Sequence, residues 1–291
     1  LGPDPAEVLR HAQAYANQPS ADSLQALTQA VEPPRQELLR RLNRAPGGTA
    51  AVLQLRRALL HRLAKAPELG AIENDLLHLL SSWFNPGFLQ MKRVDWQSPA
   101  QLLEKIIHHE AVHQIDGWDD LRRRLQPDRR CFAFFHPQLP AEPLIFVEVA
   151  LLPAMPAAIA PLIDKASEPL PASQFKVAAF YSISNCQPGL KGVSLGNFLI
   201  KRVADELKRE LPQLKTFCTL SPIPGFARWV KAGARCEGLP KARAQRLLQA
   251  HAAVLDACGG ELDKLAQAAT LRALPEPAGQ ALLRLAAGYL G

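Results

Sequence analysis

The run Val177-Ala-Ala-Phe-Tyr-Ser-Ile-Ser184 carries no charge and is rich in apolar residues, the signature of a short strand buried on both faces. Downstream, Leu199, Val203, Leu207 and Leu211 recur at every fourth position and so share one face of a helix. The segment between them, Asn185 to Gly196, holds glycines at 189, 192 and 196. A strand, a glycine-bearing loop and an amphipathic helix in that order make this part of the chain an α/β domain built on one sheet. The glycines let backbone N–H groups approach a ligand, and the helix turns its free N–H groups and positive dipole end toward the same place. Such a loop suits a pyrophosphate.

The rest of the chain divides around this unit. Residues 1–86 carry apolar residues at helical spacing around Val8–Ala16, Leu24–Val31, Glu37–Leu42, Val52–Leu63 and Ile72–Phe84, broken by Pro33-Pro34, Pro46-Gly47-Gly48 and Asn85-Pro86-Gly87. This predicts a small helical bundle with a domain boundary near Pro86. Beyond it, Phe88–Val94, Cys131–Phe135, Leu144–Leu151, Val177–Ser184 and Lys215–Leu220 have strand character. Helical segments over Pro99–Ile115, Trp118–Leu125, Ala157–Lys165 and Phe198–Leu211 lie between them, and the chain is helical again from Ala227. A length of 291 residues agrees with two domains, because single cores rarely grow beyond ~250 residues.

Lysine and arginine exceed the acids, 34 against 27, which favours an anionic partner. The basic residues are scattered, there are three tyrosines and no Arg-Gly repeats, so nucleic acid is not the expected partner. No run reaches the ~20 apolar residues of a membrane span, and the first residues have no signal-peptide pattern, so a soluble, cytoplasmic protein is expected. The five cysteines are widely separated and form no Cys-x-x-Cys pair; reduced, mostly buried thiols follow. Arg122-Arg-Arg124 reads as a solvated helix face, and the four tryptophans as packing residues. Lys201 and Arg202, one turn into the helix after the loop, either assist with phosphates or simply point at water, and they are left out of the expected site.

The loop lacks both the Gly-Lys-Ser/Thr of a P-loop and the Gly-x-Gly-x-x-Gly of a dinucleotide site. Lys191-Gly-Val-Ser-Leu-Gly-Asn-Phe-Leu199 instead resembles the coenzyme A loop of GNAT-type acetyltransferases, Arg/Lys-Gly-x-Gly-x-Gly-x-x-Leu, with Ser194 at the middle glycine. An ordinary glycine-rich turn has the same look. The next strand runs into Ser221-Pro-Ile-Pro-Gly-Phe226, and two prolines in four residues end it. Ser221 then stands at the carboxyl end of a strand beside the loop, where open α/β sheets bind ligands.

Together, Phe180 to Val203 and Leu220-Ser-Pro-Ile-Pro-Gly-Phe226 resemble the malonyl-CoA decarboxylase family. Glu110-Ala-Val-His113, Arg129–His136, Glu142–Leu151 and Leu79-Leu-Ser-Ser-Trp-Phe84 support the resemblance. It implies two domains of α+β/α/β class: a helical bundle over residues 1–86 serving oligomerisation, and a GNAT-like mixed-sheet catalytic domain over residues 87–291. It further implies conversion of malonyl-CoA to acetyl-CoA and carbon dioxide with no cofactor and no metal, in a homotetramer. Carried over by position, Lys191, Gly192, Val193, Ser194, Leu195, Gly196 and Asn197 bind the coenzyme A portion and Ser221 is catalytic. The family's catalytic histidine, in a Phe-His-Leu segment, has no match; only His251 follows Ser221, in a helical pattern. A C-terminal segment of the catalytic domain is therefore expected to be missing from this chain. Animal members carry a glutamate at the position of Ser194.

Three rival readings remain at this level. A GNAT-type acyl-CoA transferase would share the loop, and a non-catalytic acyl-CoA-binding protein would share the pocket. His109-Glu-Ala-Val-His113 also matches a zinc-protease pattern, which requires both histidines on one helical face.

Overall fold

The computed structural model describes residues 2–235 and 238–290; Leu1, Gly291, Cys236 and Glu237 lie outside the described residues, as do the side chains of Gly196, Asn197 and Ala268. The chain divides into two compact units, Leu1–Ser221 and Pro222–Gly291.

The first unit opens with five helices: α1 (Pro5–Asn17), α2 (Ala21–Val31), α3 (Pro34–Arg44), α4 (Gly48–Arg62) and α5 (Gly70–Trp83). Local chemistry sets their starts. Asp4 accepts a hydrogen bond from the Ala6 N–H, Ser20 and Ser23 form a reciprocal capping box, and prolines occupy the first turns of α1 and α3. Gly48 is required where α3 turns into α4, because a Cβ there would lie 1.8 Å from the Leu42 carbonyl oxygen.

A five-stranded sheet follows, in the order β1 (Gln90–Val94), β2 (Arg129–His136), β3 (Leu139–Leu152), β4 (Val177–Asn185) and β5 (Thr216–Thr219). The first three pairings are antiparallel and β4–β5 is parallel. Helix α9 (Gly196–Glu210) makes the β4-to-β5 crossover. The two short helices α6 (Ala100–His109) and α7 (Gly117–Arg124) join β1 to β2, and one turn, α8 (Ala160–Ile163), stands between β3 and β4.

Apolar side chains of α3, α4, α5 and α9 pack with one sheet face, including Phe132, Phe134, Val147, Val149, Ala178 and Phe180, into a single core. The other face packs α6 and α7 against Cys131, Ala133, Phe135 and Phe146. The helical region and the sheet thus share a hydrophobic core. Burial of each such side chain stabilises the fold by ~1.5–3 kcal/mol before chain entropy is counted.

The second unit contains α10 (Phe226–Lys231), α11 (Lys241–Ala257), α12 (Ala268–Ala273) and α13 (Glu276–Leu290), packed around Val230, Leu247, Val254 and Leu285. Among the described residues no helix is long and apolar enough to cross a membrane. The described cysteines are free thiols, buried at 131, 186 and 258 and half-buried at 218.

Two helical expectations were too long. The Pro99–Ile115 segment stops being helical at His109, where the Glu110 carboxylate accepts from the N–H groups of Val112 and His113 and turns the chain. The Ala157–Lys165 segment keeps only α8, its length limited by Pro156 and Pro161.

Candidate functional site

Strand β4 leads into a short 3-10 turn over Pro188–Leu190 and then into the loop before α9. Gly189 is buried against α4, and a Cβ on it would lie 2.3 Å from the Leu53 carbonyl oxygen, so no side chain fits. Gly192 has φ +86°, a left-handed conformation that costs an L-residue ~1–2 kcal/mol. The loop is pinned at Leu195, which is buried, and at Val193, which packs on the core; Lys191, Gly192 and Ser194 face solvent. Helix α9 begins at Gly196 without a side-chain cap and without an acid in its first turn. Its leading N–H groups therefore keep their capacity for an anion.

Strands β4 and β5 pair from Val177–Thr216 to Phe180–Thr219, and the Leu220 N–H still reaches the Phe180 carbonyl at 2.8 Å. Beyond that point β4 continues to Asn185 while β5 has ended. The pairing of the two parallel strands therefore stops there, with the glycine loop following one strand and Ser221 following the other. Ser221 is exposed, and its hydroxyl has no hydrogen-bond partner among the described residues. An exposed hydroxyl after the end of one parallel strand and a helix N-terminus after the end of its neighbour suit an extended ligand with an anionic portion and a reactive tip.

The malonyl-CoA decarboxylase N-terminal domain matches residues 1–84 and the malonyl-CoA decarboxylase C-terminal domain matches residues 87–290. The chain belongs to the malonyl-CoA decarboxylase family. Mitochondrial malonyl-CoA decarboxylase of Anser anser anser is 43% identical over 206 residues, 69% of this chain and 41% of that protein. The Mus musculus enzyme is 41% identical over 210 residues, 70% of this chain and 43% of its own length. The crystal structure of malonyl-CoA decarboxylase from Rhodopseudomonas palustris superposes with a TM-score of 0.81 at 49% identity, covering 99% of this chain and 68% of that one. The Agrobacterium vitis structure gives 0.76 at 47% identity, covering 93% and 65%. The chain thus spans less than half the length of the curated relatives it matches.

In this member of the malonyl-CoA decarboxylase family, β4 is held by a buried polar cluster that sequence reasoning missed. A bulge between Glu148 and Val149 pairs those residues with Ser182 and Phe180, leaving Tyr181 as the extra residue of β4. The Glu110 carboxylate accepts from the Ser182 hydroxyl at 2.7 and 2.8 Å and from the Ser184 hydroxyl at 3.0 Å. Burial pushes Glu148 up to about 8, although the Arg124 guanidinium donates to it at 3.1 Å. Burial opposes the charge on Arg124, but Glu148 and Asp120 outweigh it and raise Arg124 overall. Burial also holds the Tyr181 phenol well above its ordinary value, and neither its hydroxyl nor Glu148 Oε1 has a partner among the described residues.

Several expectations are corrected here. Arg123 and Arg124 are buried, not solvated: Arg123 donates to both Asp128 oxygens at 2.8 and 3.0 Å, and Arg124 bonds Asp120 and Glu148. Arg202 donates to the Leu89 carbonyl at 2.7 Å and lies over the Phe134 and Phe198 rings, so its guanidinium is already engaged within the fold. Trp96 and Trp118 are not interior packing residues; they are nearly half-exposed and meet edge to face. The zinc pattern fails on geometry, since α6 ends at His109 and His113 does not share its helical face. His108 and His109 line a cleft of about 460 Å³, and burial with the neighbouring His108 lowers His109. The ring Nε2 of His251 contacts the Val230 carbonyl at 2.9 Å inside the second unit.

Proposed function

We propose that the protein decarboxylates malonyl-CoA to acetyl-CoA and carbon dioxide. The observation that carries this reading is the loop Lys191–Asn197 and Ser221 after the ends of two neighbouring parallel strands, in a chain matched along its length by the two domains of this family. In this reading the backbone of Lys191, Gly192, Val193, Ser194, Leu195, Gly196 and Asn197 and the start of α9 receive the diphosphate, and the acyl arm runs along the end of β4, beyond the point where β5 stops, toward Ser221. Cleavage of the bond to the carboxylate releases carbon dioxide and moves its electron pair onto the thioester oxygen. A hydrogen bond from a positioned donor stabilises that enolate more than the neutral thioester, and a proton then returns to carbon. Ser221 hydrogen-bonds the reacting malonyl group and takes part in proton transfer, together with a histidine of the kind the family carries downstream. Ser194 offers a hydroxyl but cannot act as a base.

Residues 87–291 belong to the catalytic domain in this account, residues 1–86 serve assembly into a homotetramer, and the protein acts in the cytoplasm. The test is incubation of the protein with malonyl-CoA and no acyl acceptor. Formation of acetyl-CoA and carbon dioxide in equal amounts is expected. Binding without carbon dioxide release would refute the decarboxylase reading and favour a transferase or an acyl-CoA-binding protein.

A further inference from the structure

Arg56 of α4 is almost completely buried, at 1% exposure of its side chain. Its Nε and Nη2 donate to the two carboxylate oxygens of Glu73 on α5 at 3.0 and 2.7 Å. The rest of its fork points out of the helical region: Nη1 donates to the Gly189 carbonyl at 2.6 Å and Nη2 to the Lys191 carbonyl at 2.7 Å. Both acceptors belong to the segment between β4 and α9. Glu73 fixes the guanidinium plane, and the guanidinium fixes two loop carbonyls.

The second of those bonds has a directional consequence. In a trans peptide the C=O and the following N–H point in opposite directions, and there are no cis peptides among the described residues. Drawing the Lys191 carbonyl inward to Arg56 therefore turns the Gly192 N–H outward. Gly192 is exposed with φ +86°, and its N–H has no partner among the described residues. Gly189 is the other half of the seat, because the loop reaches Arg56 only by lying directly on the Leu53 carbonyl, where a Cβ has no room.

We infer that Arg56 is a positioning residue that sets the affinity of the loop for the diphosphate of coenzyme A, so that the helical region helps to build the substrate site. This inference rests on the proposed function, and its test separates the two. Coenzyme A and acetyl-pantetheine, which lacks the diphosphate, are titrated against the wild-type protein and the R56M, R56K and G189A variants, with thermal unfolding as the check on folding. Loss of charge-assisted contacts behind the loop predicts that R56M weakens coenzyme A binding about tenfold or more. R56K recovers part of the loss, since an ammonium supplies charge without the planar fork. G189A, which lifts the loop off α4 while leaving Arg56 and Glu73 in place, weakens coenzyme A as R56M does. Acetyl-pantetheine binding stays within about twofold of wild type in every folded variant.

The inference is overturned if folded G189A and R56M bind coenzyme A as tightly as wild type. It is equally overturned if both ligands weaken in the same proportion, which marks general loosening. Should R56M fail to fold, the G189A result decides alone. A wild-type protein that does not bind coenzyme A refutes the ligand reading of the loop, and this inference with it.

Discussion

Glu110 offers a quantitative test of how β4 is held in place for the loop that follows it. The residue is 7% exposed, and its carboxylate accepts from the Ser182 and Ser184 hydroxyls and from the N–H groups of Val112 and His113 at 2.9 and 2.7 Å. In E110A those donors lose their acceptor. The two hydroxyls lie 3.3 Å apart and can turn toward one another, but the two backbone N–H groups cannot move without unmaking the turn after α6. At ~1–3 kcal/mol for a buried donor left unsatisfied, and less for the two part-buried N–H groups, the expected loss is ~2–4 kcal/mol. E110Q keeps one accepting oxygen and loses roughly half as much. For a unit of this size a kilocalorie moves the melting temperature by ~2–4 °C, so E110A melts roughly 10 °C below wild type. Urea unfolding gives the free energies, and amide exchange over residues 182–196 reports whether the loop loosens with the strand. A loss below about 1 kcal/mol in E110A would refute the claim that this cluster anchors β4.

Three further outcomes follow from the same structure. S221A lowers turnover of malonyl-CoA by about a hundredfold or more while leaving the melting temperature unchanged, because the hydroxyl is exposed and makes no hydrogen bond in the fold; near-normal turnover would remove Ser221 from the mechanism. Burial lifts Glu148 from the ordinary 4.5 to about 8, so the folded protein retains a proton that the unfolded chain releases between those values. That contribution to stability is complete below about 4.5 and declines as the pH rises to about 8. E148Q, compared with wild type by denaturant unfolding at pH 5 and pH 8, should lose this slope, and an unchanged slope would assign it to another group. In G48A the added Cβ meets the Leu42 carbonyl oxygen at 1.8 Å, and thermal unfolding should report a loss of ~1–3 kcal/mol, with a loss under ~0.5 kcal/mol contradicting the close approach.

Much of the scaffold was legible because it obeys simple periods. The uncharged run at Val177–Ser184 forms β4, and the fourfold spacing from Leu199 to Leu211 forms α9, whose Leu199, Val203 and Leu207 are buried. The Ser-Pro-Ile-Pro segment does end β5, which stops at Thr219. What stayed hidden depends on partners distant in the chain. The Arg122–Arg124 run has the composition of a wet helix face, yet Arg124 is buried because Glu148 lies above it on β3. Nothing local distinguishes Arg56 from Arg57 or Arg62; its role comes from carbonyls more than a hundred residues away. The end of α6 is set by one side chain folding back on the next turn, which the helical pattern through Ile115 concealed. The order of strand, loop, helix and parallel strand around Ser221 was also legible. The bulge at Tyr181 and the polar cluster behind it were not, because a bulge leaves no period to read.

The most direct measurement is a crystal structure of the protein with acetyl-CoA bound. The account predicts the diphosphate against the backbone N–H groups of Gly192 and of Ser194 to Asn197, the pantetheine arm along the end of β4 beyond the point where β5 stops, and the thioester beside the Ser221 hydroxyl. A diphosphate bound away from α9, or a thioester out of reach of Ser221, would contradict it.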